Sequence, residues 1–137
     1  MVTSPKGVGV CREETDAVFE LDEVIYYNGH EFKYAQIDVK HTNFGTDGNG
    51  NYKDKRRSDY TLEEIYEFLK CLDGIELPYE EDRGQTNETG RYNRYREMID
   101  SPIEKNRDLP HLLVFDVYEN FEDQITVITL FKKGNKR

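Results

Sequence analysis

The chain has 137 residues with a formal net charge of -9, a pI near 4.9 and a mean hydropathy of -0.88. It is long enough for one compact domain with a core that needs no disulfides, and its global acidity argues against nonspecific attraction to nucleic acid. No run approaches the roughly 18 apolar residues of a membrane span, and the opening lacks a secretory signal. Cys11 and Cys71 stand too far apart in sequence for a CxxC-type zinc site or a disulfide framework.

Residues 1–16 read as a flexible lead-in, because Gly, Pro and Ser precede the charged "REETD" without a period of either kind. A single domain is expected over 17–137. From Val18 onward β-branched and aromatic residues mix with polar ones, and Asn28-Gly29 falls between two such runs. This pair suits a type I′ turn, which needs positive φ at both central positions, so a β-hairpin is expected at about 23–40. Alternation in its second arm puts Phe32, Tyr34, Gln36 and Asp38 on one face and Ala35, Ile37, Val39 and His41 on the other.

The loop "FGTDGNGN" follows. Asp47, Asn49 and Asn51 match the first ligands of a calcium loop, but Tyr52 stands where glycine is required and Ser58 where glutamate is required, which excludes that reading. Thr61 and Glu64 form a capping box, with Tyr60 and Ile65 spaced as a hydrophobic staple. Leu62, Ile65, Tyr66, Phe68, Leu69 and Leu72 then repeat at helical spacing up to a stop at Asp73-Gly74. Cys71 is expected to be a small buried residue of this helix.

A short strand at "IEL" and a polar loop lead to "RYNRYREMI", which reads as strand and loop rather than helix. "LPHLLVFDVYEN" and "QITVITLFKK" are two clear strands joined by an acidic turn. In the last, simple alternation sends Thr126 and Thr129 to opposite faces. The order of elements predicts an α+β domain: an antiparallel β-sheet of about four strands with a helix packed on one face.

Net-positive segments at 40–57, 83–107 and 125–137 alternate with acidic ones, so a fold could gather cations on one face. The first holds Lys40, His41, Lys55, Arg56 and Arg57 between a strand end and a helix entrance. Metal-free RNA cleavage needs a base for the 2′-hydroxyl, an acid for the 5′-oxygen and fixed cations for the phosphorane. Histidine, with a pKa of about 6.5, serves the first two roles, and the forked guanidinium of arginine suits the third. The same residues also fit a solvated loop. His30 after a turn is expected to be exposed and His111 structural, and three histidines so spread show no zinc spacing. Neither a P-loop nor a nucleophile-elbow motif occurs.

The layout of "IDVKH", the loop, "YTLEEIYEFLKCLDG", "IEL", "LLVFDVY" and "ITVITLF" resembles the ribonuclease superfamily that groups barnase-like, EndoU-like, colicin-type and RelE-like enzymes of phage and bacterial toxins. The resemblance covers about residues 23–133. It implies a metal-independent endoribonuclease without cofactors, cleaving tRNA or mRNA in the cytoplasm, with RNA and a cognate antitoxin or immunity protein as partners. The chain would act alone or as the C-terminal part of a larger secreted toxin. Carried over by position, His41, Lys40, Arg57 and Thr126 would be catalytic, and Lys55, Arg56, Arg91, Arg94 and Tyr92 would bind RNA. The strong acidity departs from such enzymes and favours an alternative, a noncatalytic immunity protein or inhibitor that covers a basic nucleic-acid-binding surface.

Overall fold

In the computed structural model the described residues are 16–38, 42, 60–77 and 84–133. Six strands and one α-helix follow in chain order: β1 (Asp16–Tyr27), β2 (His30–Asp38), α1 (Leu62–Lys70), β3 (Gln85–Asn87), β4 (Gly90–Asp100), β5 (Pro110–Tyr118) and β6 (Gln124–Lys132). They form one sheet in the order β1-β2-β6-β5-β4-β3. Every neighbouring pair is antiparallel except β2 and β6, which run parallel with Tyr34 to Ile37 against Gln124 to Val127. The expected four-stranded antiparallel sheet is therefore replaced by a six-stranded mixed one. Local turn signals predict hairpins well, but the β2–β6 contact joins residues ninety positions apart and leaves no local trace.

The predicted first hairpin is present, with Asn28 at φ 47° and Gly29 at φ 86° in its turn. Its edges are less regular than alternation implies. Glu20 pairs with Tyr34 and Ile25 with Phe32, so β1 carries extra residues around Asp22 to Val24 that bulge out of the ladder. On β2 the amides of Lys33 and Tyr34 both donate to the Asp123 carbonyl, at 2.7 and 3.1 Å. This second irregularity moves Phe32 onto the same buried side as Ala35 and Ile37, contrary to simple alternation. A bulge in β6 does the same between Val127 and Thr129, where Thr129 opposes Val114 and Val127 opposes Phe115. Thr126 and Thr129 consequently share a face.

The helix starts as its sequence demands. The Thr61 hydroxyl accepts from the Glu64 amide at 3.1 Å and the Glu64 carboxylate accepts from the Thr61 amide at 3.0 Å. Leu62, Ile65, Tyr66, Phe68 and Leu69 face the sheet and bury against Phe19, Leu21, Ile37, Leu113, Ile125, Val127 and Leu130. Each such side chain contributes about 1.5–3 kcal/mol on leaving water. Cys71 sits at the helix C-cap and is exposed rather than buried, because the helix has already ended at Lys70. Gly74, at φ +90°, then reverses the chain so that 74–77 runs beside the end of β1. There Asp73 Oδ1 accepts from the Tyr26 amide at 2.9 Å, the Gly74 amide donates to the Tyr26 carbonyl at 2.7 Å, and the Asn28 amide donates to the Ile75 carbonyl at 2.7 Å. The expected "IEL" strand reduces to one bridge, Ile75 to Tyr27, because these contacts use its backbone as an edge cover.

The segment read as strand and loop, "RYNRYREMI", lies wholly inside β4. The polar stretch before it contributes β3, closed by a tight turn in which Asn87 Oδ1 accepts from the Thr89 and Gly90 amides. Gly74→Ala meets open space yet forces a left-handed backbone on a residue with a Cβ, so it should lower stability by about 1 kcal/mol, read from the urea midpoint.

Candidate functional site

Of the residues singled out for phosphate chemistry, Lys40, His41, Lys55, Arg56 and Arg57 lie outside the described residues. Thr126, Tyr92, Arg91 and Arg94 are described, and three of them share the sheet face opposite α1. The strand registers line up Gln36, Thr126, Asp116 and Arg94 in a row across β2, β6, β5 and β4. Tyr92 and Tyr118 form the next row on the same face.

Arg94 closes a two-pronged ion pair on Asp116, with Nε 2.7 Å from Oδ1 and Nη2 3.0 Å from Oδ2. The Asp116 side chain is 1% exposed while that of Arg94 is 29% exposed. The carboxylate holds the Arg94 pKa above its ordinary value against the opposing effect of burial. The carboxylate closes the side-on Nε/Nη2 edge of Arg94 to a phosphate and leaves the Nη1/Nη2 edge of a part-exposed guanidinium. Arg91 is likewise paired, its Nε 3.0 Å from Glu119 Oε2, although both partners are more than half exposed. Tyr92 packs its ring 5.1 Å from that of Tyr118, lies 5.6 Å from the Arg94 guanidinium and donates from its hydroxyl to Gln85 at 3.2 Å. At 8% exposure its faces are taken by these neighbours, whereas a stacking platform for a base needs an open face. Thr126 is half-buried and receives a long contact, 3.4 Å, from the Gln124 amide.

Two histidines are described. His111 is fully buried on the α1 face, 4.9 Å from the Phe68 ring. Its Nδ1 lies 2.8 Å from the Leu109 carbonyl, which has only acceptor capacity, so Nδ1 carries the proton. Nε2 then accepts from the Tyr60 hydroxyl at 2.6 Å, and that oxygen accepts from Asn106 Nδ2 at 3.0 Å. Every position on the ring is committed, which makes His111 a structural residue. His30 opens β2 and stacks on Phe32, with centroids 5.6 Å apart and planes 8° from parallel. Burial lowers its pKa below 6.5, and Glu122, whose carboxylate lies 4.0 Å from Nδ1, partly restores it. The expected exposed histidine is thus oriented and partly enclosed, because the hairpin folds its turn onto the aromatic cluster of Phe32 and Tyr95.

His30 forms one wall of a groove of about 470 Å³, shared with Asn93, Val117, Tyr118, Glu119, Asn120 and Glu122. Its polar atoms are amide and carboxylate oxygens, amide N–H groups and a neutral imidazole, and none of its lining residues is Lys or Arg. Glu119 and Glu122 were visible in the sequence only as an acidic turn; their convergence with His30 depends on the 3₁₀ turn at Glu119–Phe121 meeting the start of β2. A second cleft, about 260 Å³, lies at the β1 bulge between Asp22, Glu23, Tyr66, Lys70 and Asp73. Among the described residues no group of three or more His, Cys, Asp or Glu is arranged to hold a metal ion. No helix among them is long and apolar enough to cross a membrane. Comparison with protein families, with curated proteins and with solved structures returns no match.

Two measurements check these assignments. Arg94→Met strands a buried carboxylate, whereas Asp116→Asn leaves a guanidinium that reaches water. The first should cost about 3 kcal/mol and the second about 1 kcal/mol, read as urea midpoints. His111 has a pKa lowered first by burial, with Lys132 adding to the shift and the Leu109 carbonyl and Asp100 opposing it. The unfolded chain therefore takes up a proton below pH 6.5 that the folded chain refuses, and stability falls as the pH drops from there toward the folded value. His111→Gln should flatten that part of the stability profile, compared with wild type at pH 7.5 and 5.5.

Proposed function

We propose that this chain is a noncatalytic acidic binding protein that covers the basic surface of a nucleic-acid-binding partner, in the manner of an immunity protein or inhibitor. The observation that carries this reading is the His30 groove, whose lining residues include Glu119 and Glu122 but no Lys or Arg, with these carboxylates exposed by 59% and 68% at its rim and Glu119 shared with Arg91. A phosphate entering it would meet two carboxylates. A lysine or arginine side chain would find charge-assisted hydrogen bonds to Glu119 and Glu122 and the carbonyl oxygens of Asn93 and Asn120. Carboxylates outnumber Lys and Arg by about two to one among the described residues, which supplies a long-range field that speeds encounter with a basic partner. Arg91 and Arg94, which the resemblance would give to RNA, make internal ion pairs with Glu119 and Asp116.

A second reading, a metal-independent endoribonuclease acting as a toxin on tRNA or mRNA, draws support from one observation. The parallel β2–β6 pairing sets Thr126 opposite Gln36, four residues before Lys40 and five before His41, so a strand hydroxyl lies near the chain leading to those two residues. It requires Lys40, His41, Arg56 and Arg57 to meet that hydroxyl around a phosphate.

The two readings separate in one set of assays. The purified chain, mixed with a basic ribonuclease and its RNA substrate, should block cleavage in a salt-sensitive way. The double variant Glu119→Lys/Glu122→Lys should bind the nuclease roughly tenfold more weakly, from loss of two rim ion pairs and like-charge contacts in their place. RNA incubated with the chain alone should stay intact. Discrete RNA fragments from wild type, absent with His41→Ala, would instead establish the nuclease reading.

A further inference from the structure

The sheet has two edges of unlike character. At β1 the Tyr26 amide and carbonyl are occupied by Asp73 and Gly74, and Ile75 bridges to Tyr27. At the other side β3 pairs with β4 only over Gly90 to Tyr92, through Asn87, Thr86 and Gln85. Among the described residues the β3 pairing does not continue along β4 past Tyr92 toward Asp100, a stretch on the order of 26 Å at about 3.3 Å per residue. An open edge of this length is a template for another strand.

Which backbone groups face outward follows from the two ends of β4. Asn87 and Gly90 close a two-residue turn, so Gly90 turns its amide and carbonyl toward β3. At the far end Ser101 turns both groups inward, its amide to the Leu109 carbonyl and its carbonyl to the Asp108 amide. Alternation between these points leaves the amides and carbonyls of Arg94, Arg96, Met98 and Asp100 directed outward. The side chains of these four residues share the sheet face opposite α1, where Met98 is 56% exposed beside its cross-strand neighbour Leu112, which in turn pairs with Phe131 of β6.

We propose that a second copy of this chain pairs antiparallel with this edge about a two-fold axis through Met98, making one continuous sheet of twelve strands. A two-fold perpendicular to the sheet keeps each face on its own side, so the axis must pass through a residue rather than between two. Centred on Arg96, the register sets Arg96 against its own copy; centred on Glu97, it sets two carboxylates directly opposite. Centred on Met98, it sets Arg96 of each copy opposite Asp100 of the other, twice by symmetry, and buries the two Met98 side chains against each other and the adjoining Leu112. The outward amides of Arg96, Met98 and Asp100 then meet outward carbonyls in the same register. Pairing ends where Pro102, which has no amide proton, comes opposite Arg94.

Sedimentation equilibrium of the full chain over a wide range of concentration tests this. A mass rising from 16.2 kDa toward twice that value is expected, and a monomer at every concentration would overturn the proposal. Arg96→Glu and Asp100→Arg should each weaken the dimer by about tenfold, since two attractive pairs become repulsive, and the double exchange should restore it. A dimer unmoved by either single change would place the interface elsewhere and also overturn it. Circular dichroism of each variant separates lost pairing from lost folding. With Cys11→Ser and Cys71→Ser as background, Met98→Cys should form an interchain disulfide under mild oxidation, because residues facing one another in a hydrogen-bonded pair lie about 5.5 Å apart at Cα. Failure to crosslink would reject the register.

Discussion

The four-residue parallel contact between β2 and β6 is the interaction on which the rest of the structure depends. It joins a self-contained hairpin, β1–β2, to a self-contained meander, β3 to β6, and so turns two thin sheets into one. Neither piece alone offers α1 a broad apolar face. Together they place Phe19, Ile37, Ile125, Val127 and Leu113 side by side under Leu62, Ile65, Phe68 and Leu69. Parallel pairing needs a long crossover, and here that crossover contains α1 itself, which is why the helix lies over the junction it creates.

The polar groups inside this framework are committed rather than poised. His111, Tyr60, Asn106 and the Leu109 carbonyl form a chain in which each donor has one acceptor, and Arg94 and Asp116 close a fork on the opposite face. Low local dielectric makes such networks costly to break and gives them a role in specifying one packing. What remains for recognition is the rim: the His30 groove at one end of the sheet, with its carboxylates and amides, and an acidic exterior around it. An acidic surface on which Arg91 and Arg94 are engaged by Glu119 and Asp116 presents less to a phosphate than to a cation.

The edges of the sheet express the same economy of unsatisfied groups. The long β1 edge is interrupted by a bulge and then covered by the chain leaving α1, so that a residue read in isolation as the start of a strand, Ile75, acts as a cover for another. Among the described residues the β4 edge has the short β3 as its partner, and its outward groups fall on Arg94 and Arg96, the exposed Met98 and then Asp100. A self-complementary pattern of this kind is compatible with closure by symmetry.

Where a signal is local, the sequence by itself determined the outcome. Asn28-Gly29 makes the first turn, Thr61 and Glu64 cap α1, Gly74 reverses the chain after it, and the runs around Phe115 and Val127 become strands, since each depends on φ preference, side-chain reach or a period of a few residues. Tertiary structure alone decided the parallel pairing of β2 with β6, the two faces of Phe32 and Thr129, the exposure of Cys71 and the reduction of "IEL" to a bridge. Bulges shift side-chain parity by one residue with no mark in composition, and long-range pairing is chosen by the total apolar area it buries. The candidate site divides in the same way. Asp116 and Arg94 lie on neighbouring strands, so neither segment alone announces their ion pair, and the His30 groove exists because a turn and a hairpin distant in sequence meet at one end of the sheet.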